Sequence, residues 1–358
     1  MSSLEELRAV AETSIGRWHQ RFPDRRLLGI YNAYVPVEMF RAAGFVPVYL
    51  FHRPEDGGNA RTHLPAFACW PARSLIDQAL DGELEGLAGL ALGQTCDAVQ
   101  TLTDVWRRAL PAVPLYHVGV PSSLVGPAVR DYFIQELGRL RRRLGDLSDD
   151  ALRRAITLTN RTRELVSCLY DRAADLAPTD LYAVLRAGLT MPAAEYNELL
   201  AGLVDQLPPS ETAGPRLVLV GPHLADPMLY ELVQEAGGVV VDDLLDVGHR
   251  YYAGRVAEDG DPLAALVDHY LALLPTPTKH QPARQRGKYL VERVTRRGAD
   301  GVIFARQKFC DPHGFDYVPL KAALDRAGIP HLLVELEQTP QAGQVRTRVE
   351  AFVEMMGT

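Results

Sequence analysis

The sequence predicts an α/β protein of two related lobes joined by a helical segment, and three observations carry that reading. Short apolar runs alternate with helix-periodic stretches at both ends of the chain. The two ends repeat one another, and the middle is helix-periodic and poor in strand signal.

The first lobe opens with LLGIYNAYVPVEMFRAAGFVPVYLF (27–51), which reads as an apolar strand, a turn at Pro36, a short amphipathic helix ending at Gly44, and a second strand. The segment RLVLVGPHLADPMLYELVQEAGGVVVDDLL (216–245) reads the same way, and aligning the two pairs Glu38 with Glu231, Ala43 with Ala236, Gly44 with Gly237 and Val46 with Val239. The parallel continues, since residues 87–121 and 299–337 each give a strand, a Cys-Asp pair, a helix and a strand opened by proline. Between the lobes, 131–144, 148–176 and 191–206 are the expected helices, and a last one is expected over 343–356. The expected organisation is an N-terminal α/β lobe (1–126), a helical connecting segment (127–213) and a C-terminal α/β lobe (214–358). Strands separated by helices give parallel sheets, so each lobe is expected to be Rossmann-like (flavodoxin-like).

A chain of 358 residues with 47% hydrophobic and 23% charged residues is ordinary globular material of about two domains. The net charge of -7 argues against a general nucleic-acid or anionic-membrane binder, and no apolar run is long enough for a membrane helix. Glu5 and Glu6 stand where a signal peptide would be basic, so a cytoplasmic location is expected. Of the 38 basic residues only Lys279, Lys288, Lys308 and Lys321 are lysine, a skew that reads as genomic composition. Neither G-x-G-x-x-G after an opening strand nor G-x-x-x-x-G-K-[ST] occurs, which excludes the dinucleotide fingerprint and the P-loop.

Four cysteines without a secretory signal make no disulfide framework. Cys96 and Cys310 occupy equivalent places just past buried strands, where open α/β sheets bind ligands. Cys69 lies at a loop-to-helix junction before Pro71, where amides and the helix dipole favour thiolate. Cys168, in the helical run 165–170, reads as a small buried hydrophobe. Three gathered thiolates suit zinc with an open position or an iron–sulfur cluster with one iron free. The long spacings, 27 and 214 residues, favour a cluster that the fold itself assembles. Tyr34 and Glu38, beside the first strand end, are the candidate acid–base residues; Gln94, Arg73, Arg306 and the Asp242-Asp243 pair are weaker polar candidates. His117, His249 and His331 read as ordinary strand or turn residues, with His313 the least secure of that group, and Gly221-Pro222-His223 reads as a structural turn.

These residues resemble the 2-hydroxyacyl-CoA dehydratase and benzoyl-CoA reductase family of iron–sulfur subunits. The likeness spans nearly the whole chain and rests on VPVEMFRAAGFVPV, Cys69 followed by ARS, Cys96-Asp97, LRAGLTMPAAEYNELL, GKYLVERV and GVIFARQKFCDP. It implies a 4Fe-4S cluster held by Cys69, Cys96 and Cys310, and pairing with a second homologous subunit. It also implies an acyl-CoA substrate and a separate ATP-hydrolysing iron–sulfur activator, with which the missing P-loop agrees. The implied chemistry passes one electron to the thioester, whose ketyl radical anion expels the α-hydroxyl, or reduces an aromatic ring in the benzoyl-CoA branch. Some members carry cysteine where this chain has Thr276, which argues against additional clusters. The alternatives are an iron–sulfur reductase of a small non-CoA substrate and a two-lobed binding paralogue without a cluster.

Overall fold

The computed structural model describes residues 2–357 apart from 14, 54–56, 146, 210–213, 274, 275, 281 and 338–341. The first sheet is formed by β1 (Arg26–Ile30), β2 (Phe45–Tyr49), β3 (Leu90–Gly93) and β4 (Leu115–Val118), the second by β5 (Arg216–Gly221), β6 (Val239–Leu245), β7 (Gly301–Gln307) and β8 (His331–Leu336). Their orders, β2-β1-β3-β4 and β6-β5-β7-β8, are the same permutation, and every pairing is parallel. The fold class is therefore the expected one. The repeat extends to backbone conformation: Gly44 and Gly237, each just past the helix that follows the opening strand of its lobe, both take φ +80° with open space around them. Only glycine adopts that left-handed turn without strain, so it ends the helix and returns the chain to the sheet.

Three of the expected helices lie between the two sheets in the chain, at Val129–Arg143, Asp149–Asp171 and Ala193–Gln206, and Ala342–Gly357 is the last. The second stops short of the expected 176 because residues 173–175 tighten into a 3-10 turn before Pro178 opens a further helix, Pro178–Gly188. The N-terminal helix Ser3–Ala11 was signalled by Ser2 and Glu5, which form a reciprocal capping box.

Helix Asp149–Asp171 braces both sheets through polar groups on one face, seven residues apart. Arg163 donates to Glu38 Oε1 at 2.6 Å on the first lobe, and the Tyr170 hydroxyl donates to Asp243 in β6 on the second. Asp242 is likewise fully buried and receives Arg293 and Arg297. The acidic pair thus lies inside β6 rather than beyond it, with its carboxylates committed to packing. Arg306 pairs across strands with Glu335, a surface contact.

Candidate functional site

Cys69, Cys96 and Cys310 share a structural address: each is the N-cap of a helix, Trp70–Leu80, Asp97–Ala109 and Asp311–Ala327 respectively. Cys96 follows β3 and Cys310 follows β7, so two sulfurs come from equivalent strand ends and the third from the loop after β2. All three are partly accessible.

The thiols sense one another. Burial pushes Cys69 up to about 11, with Cys96 adding to the rise, and burial followed by Cys69 and Cys96 pushes Cys310 well above the ordinary thiol range. Cys96 is also raised by burial. Against this, the amides of Ala72, of Val99 and Ala98, and of His313 at the three helix starts favour the thiolate. Thiols so crowded and desolvated stay protonated unless an electrophile takes the place of the proton.

Among the described residues no group of three or more His, Cys, Asp or Glu side chains converges as a single-ion site would require. Ligands of a cluster need not converge, because each thiolate binds its own iron. The donor set, three soft sulfurs with no histidine in an equivalent place, could hold such a cluster and is poorly matched to hard cations.

The ends of β1 and β3 are laced together around this edge. Asn32 donates from Nδ2 to the Gly93 carbonyl at 2.8 Å and accepts from the Tyr34 amide at 3.2 Å. A Cβ on Gly93 would lie 2.7 Å from Asn32 Oδ1, which explains glycine at that strand end. The Tyr34 ring is buried and its hydroxyl has no hydrogen-bond partner among the described residues; burial holds it far above the usual phenol range, so it is a permanent donor. Lys279, also buried, donates from Nζ to the carbonyls of Gln94 at 2.6 Å and Val120 at 3.3 Å, and its ammonium lies 5.2 Å from the centre of the Tyr34 ring. Burial lowers it to about 8, with Cys96 acting in the opposite sense.

The second lobe contributes Asp246, just past β6, which accepts from Arg250 at 2.8 Å and lies 3.4 Å from His313 Nε2; its interactions with His313 and Arg250 hold its carboxyl well below the usual range against the effect of burial. His223, just past β5, is buried between Tyr49 (3.4 Å) and His52 (3.2 Å). Sequence reasoning read His223 as part of a structural turn and gave Lys279 no role: a lone histidine after a Gly-Pro turn and a lysine in a loop carry no local signal.

The expectation for Cys168 needs correction, and Glu38 stands in a setting that the sequence does not announce. Glu38 is fully buried; burial alone would raise its carboxyl, but Arg163, with His269 and Arg41, holds it below the usual range. With Arg163 on Oε1 and Tyr270 at 3.0 Å on Oε2, it is a closed ion pair. Cys168 is exposed, lining a cavity of about 440 Å³ with Tyr170 and His249. The buried stripe 165, 166, 169 and 170 turns residue 168 outward, so helical spacing already carried the information. Arg73 lies over the Trp70 ring at 5.5 Å, and His249, read as an ordinary turn residue, contacts Arg293 and Asp242.

Two parallel-sheet lobes of the same strand order, with cysteines at equivalent strand ends, define a class of two-lobed Rossmann-like α/β proteins. Within that class the chain belongs to the family of the 2-hydroxyglutaryl-CoA dehydratase D-component, whose model matches residues 32–356. It is 27% identical to the (R)-phenyllactyl-CoA dehydratase beta subunit of Clostridium sporogenes, over 94% of each chain. It is 27% identical to a benzoyl-CoA reductase subunit of Thauera aromatica, covering 96% of this chain and 94% of that one. It is 28% identical to (R)-2-hydroxyglutaryl-CoA dehydratase subunit beta of Acidaminococcus fermentans, over 93% of each. No helix among the described residues is long and apolar enough to cross a membrane.

Proposed function

We propose that this chain is the 4Fe-4S-binding subunit of a 2-hydroxyacyl-CoA dehydratase or benzoyl-CoA reductase-type enzyme. It would work on an acyl-CoA thioester by radical chemistry with a second homologous subunit, its electron coming from a separate ATP-hydrolysing iron–sulfur activator. The observation that carries the reading is the set of three mutually coupled cysteines, each capping a helix and drawn from both lobes. Family membership and the names of the relatives support it.

Cys69, Cys96 and Cys310 would hold the cluster. When bound, it supplies a one-electron relay and an iron with no cysteine ligand, open to a substrate oxygen. The chain's own contribution is electrostatic: helix-start amides favour the thiolates, and the surrounding protein limits water. The Tyr34 hydroxyl, buried and without a partner among the described residues, is suited to donate to a thioester oxygen, whereas the Glu38 carboxylate is already spent on Arg163 and Tyr270. Phe67, Phe309 and Phe315, all exposed and all within five residues of a ligand cysteine, give the edge an apolar rim suited to a partner subunit.

The test is iron and acid-labile sulfide on anaerobically purified protein, followed by assays of 2-hydroxyacyl-CoA and benzoyl-CoA thioesters with partner and activator. About four irons and four sulfides per chain are expected; their absence after anaerobic reconstitution would overturn the reading. Tyr34→Phe is expected to lower kcat/KM by about tenfold, the loss of one well-placed donor, with iron content unchanged.

A further inference from the structure

Lys279 raises a problem of charge. It is one of four lysines, it is 4% exposed, and among the described residues no carboxylate pairs with it. Its partners are two carbonyls and the face of an aromatic ring, all of them neutral. An ammonium removed from water without a counter-ion is costly, and proteins normally bury one only where negative charge is provided.

The position says where that charge belongs. Gln94 is the residue after β3 and lies two residues before Cys96; Val120 lies two residues after β4. Lys279 therefore bolts its loop onto the strand ends from which Cys96 emerges. The same loop is fixed at its next residue, where the His280 amide donates to the Ser122 carbonyl at 2.8 Å. The anchoring holds the cation on the sulfur-bearing edge and prevents it from swinging to solvent.

We infer that Lys279 is the fixed counter-cation of the anionic group assembled on Cys69, Cys96 and Cys310, and that it sets how readily that group accepts an electron. This rests on the cluster reading above. Reduction adds one negative charge; a cation held nearby stabilises the reduced form more than the oxidised form and so raises the midpoint potential. Lys279 is a positioning residue in this account, acting on charge without touching substrate.

The experiment compares the reconstituted wild-type chain with Lys279→Gln, Lys279→Met and Lys279→Arg in an EPR-monitored redox titration, with dithionite as the one-electron reductant and iron and sulfide counted in each. Glutamine keeps an N–H donor for the Gln94 carbonyl but removes the charge. Both Gln and Met variants are expected to be about tenfold harder to reduce, a shift of about 59 mV to more negative potential, while Arg stays near wild type. A full cluster with unchanged potential in Lys279→Gln would overturn the inference and leave the cluster reading intact. A wild-type chain that holds no iron would overturn both. If Lys279→Met loses iron, the Gln and Arg pair decides, because a purely mechanical bolt predicts lowered thermal stability with equal potentials.

Discussion

The residues that the repeat pairs most clearly have come to opposite fates. The repeat pairs Glu38 with Glu231 in the helix that follows the opening strand of each lobe, yet Glu38 is fully buried against Arg163 while Glu231 is exposed. The connecting helix Asp149–Asp171 accounts for the difference, since it packs on helix Val37–Ala42 in the first lobe and reaches the second lobe at β6 instead. The cysteines divide along the same lines. Cys96 and Cys310 are inherited from the shared strand–helix unit, whereas Cys69 comes from the loop after β2, for which the second lobe substitutes Asp246 and the short helix His249–Tyr252. Duplication thus supplied two of the three cysteines, and the departure from symmetry supplied the third.

The strongest challenge to this division is removal of the sulfurs. Replacing Cys69, Cys96 or Cys310 by alanine should abolish the proposed cluster, and Cys168→Ala should retain it, as read by iron content; loss of iron from Cys168→Ala alone would break the assignment. Next comes the carboxylate pair. Arg163→Met strands a buried Glu38 and should cost about 3–5 kcal/mol in chemical denaturation, against less than about 0.5 kcal/mol for Glu231→Gln.

The pH dependence sharpens the contrast, because three of the neutral buried histidines belong to the second half of the chain. Burial depresses His223, His249 and His269 from 6.5 to about 4. Between these values the unfolded chain binds more protons, so their contribution is present above pH 6.5 and is lost as pH falls toward 4. Asp243 opposes them: burial raises it from 3.8 to about 6, so its contribution is present at low pH and is lost as pH rises through 6. Three histidines outweigh one carboxyl, and urea midpoints should rise from pH 4 to pH 6.5 and then level off. The smallest effect tests the symmetry itself. Gly44→Ala and Gly237→Ala should each cost about 1 kcal/mol, since both force a side chain into the left-handed region. Unequal costs would show that the two turns no longer do the same work.

The sheets were legible because their signals are local: apolar runs, glycine stops and a repeat that fixed equivalent places for Cys96 and Cys310. Cys69 was legible through Pro71 and the helix it opens. The ion pair of Glu38 was not legible because its partner lies 125 residues away on a helix whose docking no local pattern specifies. Lys279 and His223 were given no functional role for the same reason: their significance arises from contacts 185 and 174 residues distant in the chain. Phe309 belongs with them, since its φ of 65° immediately before Cys310 is set by the turn out of β7 and not by any preference of phenylalanine.

The region 262–280 lies after the second lobe has begun, yet much of its packing is on the first half of the chain. Asp268 pairs with Arg130 at 2.7 Å, the Tyr270 hydroxyl lies 3.0 Å from the Val35 carbonyl oxygen, and His280 reaches Ser122. The halves are consequently interlocked, like two hands with one finger crossed over, and are not beads in tandem. A backbone cut near Leu207 would leave fragments that still clasp each other, and a gene split at that point would need co-expression of both pieces to rebuild either.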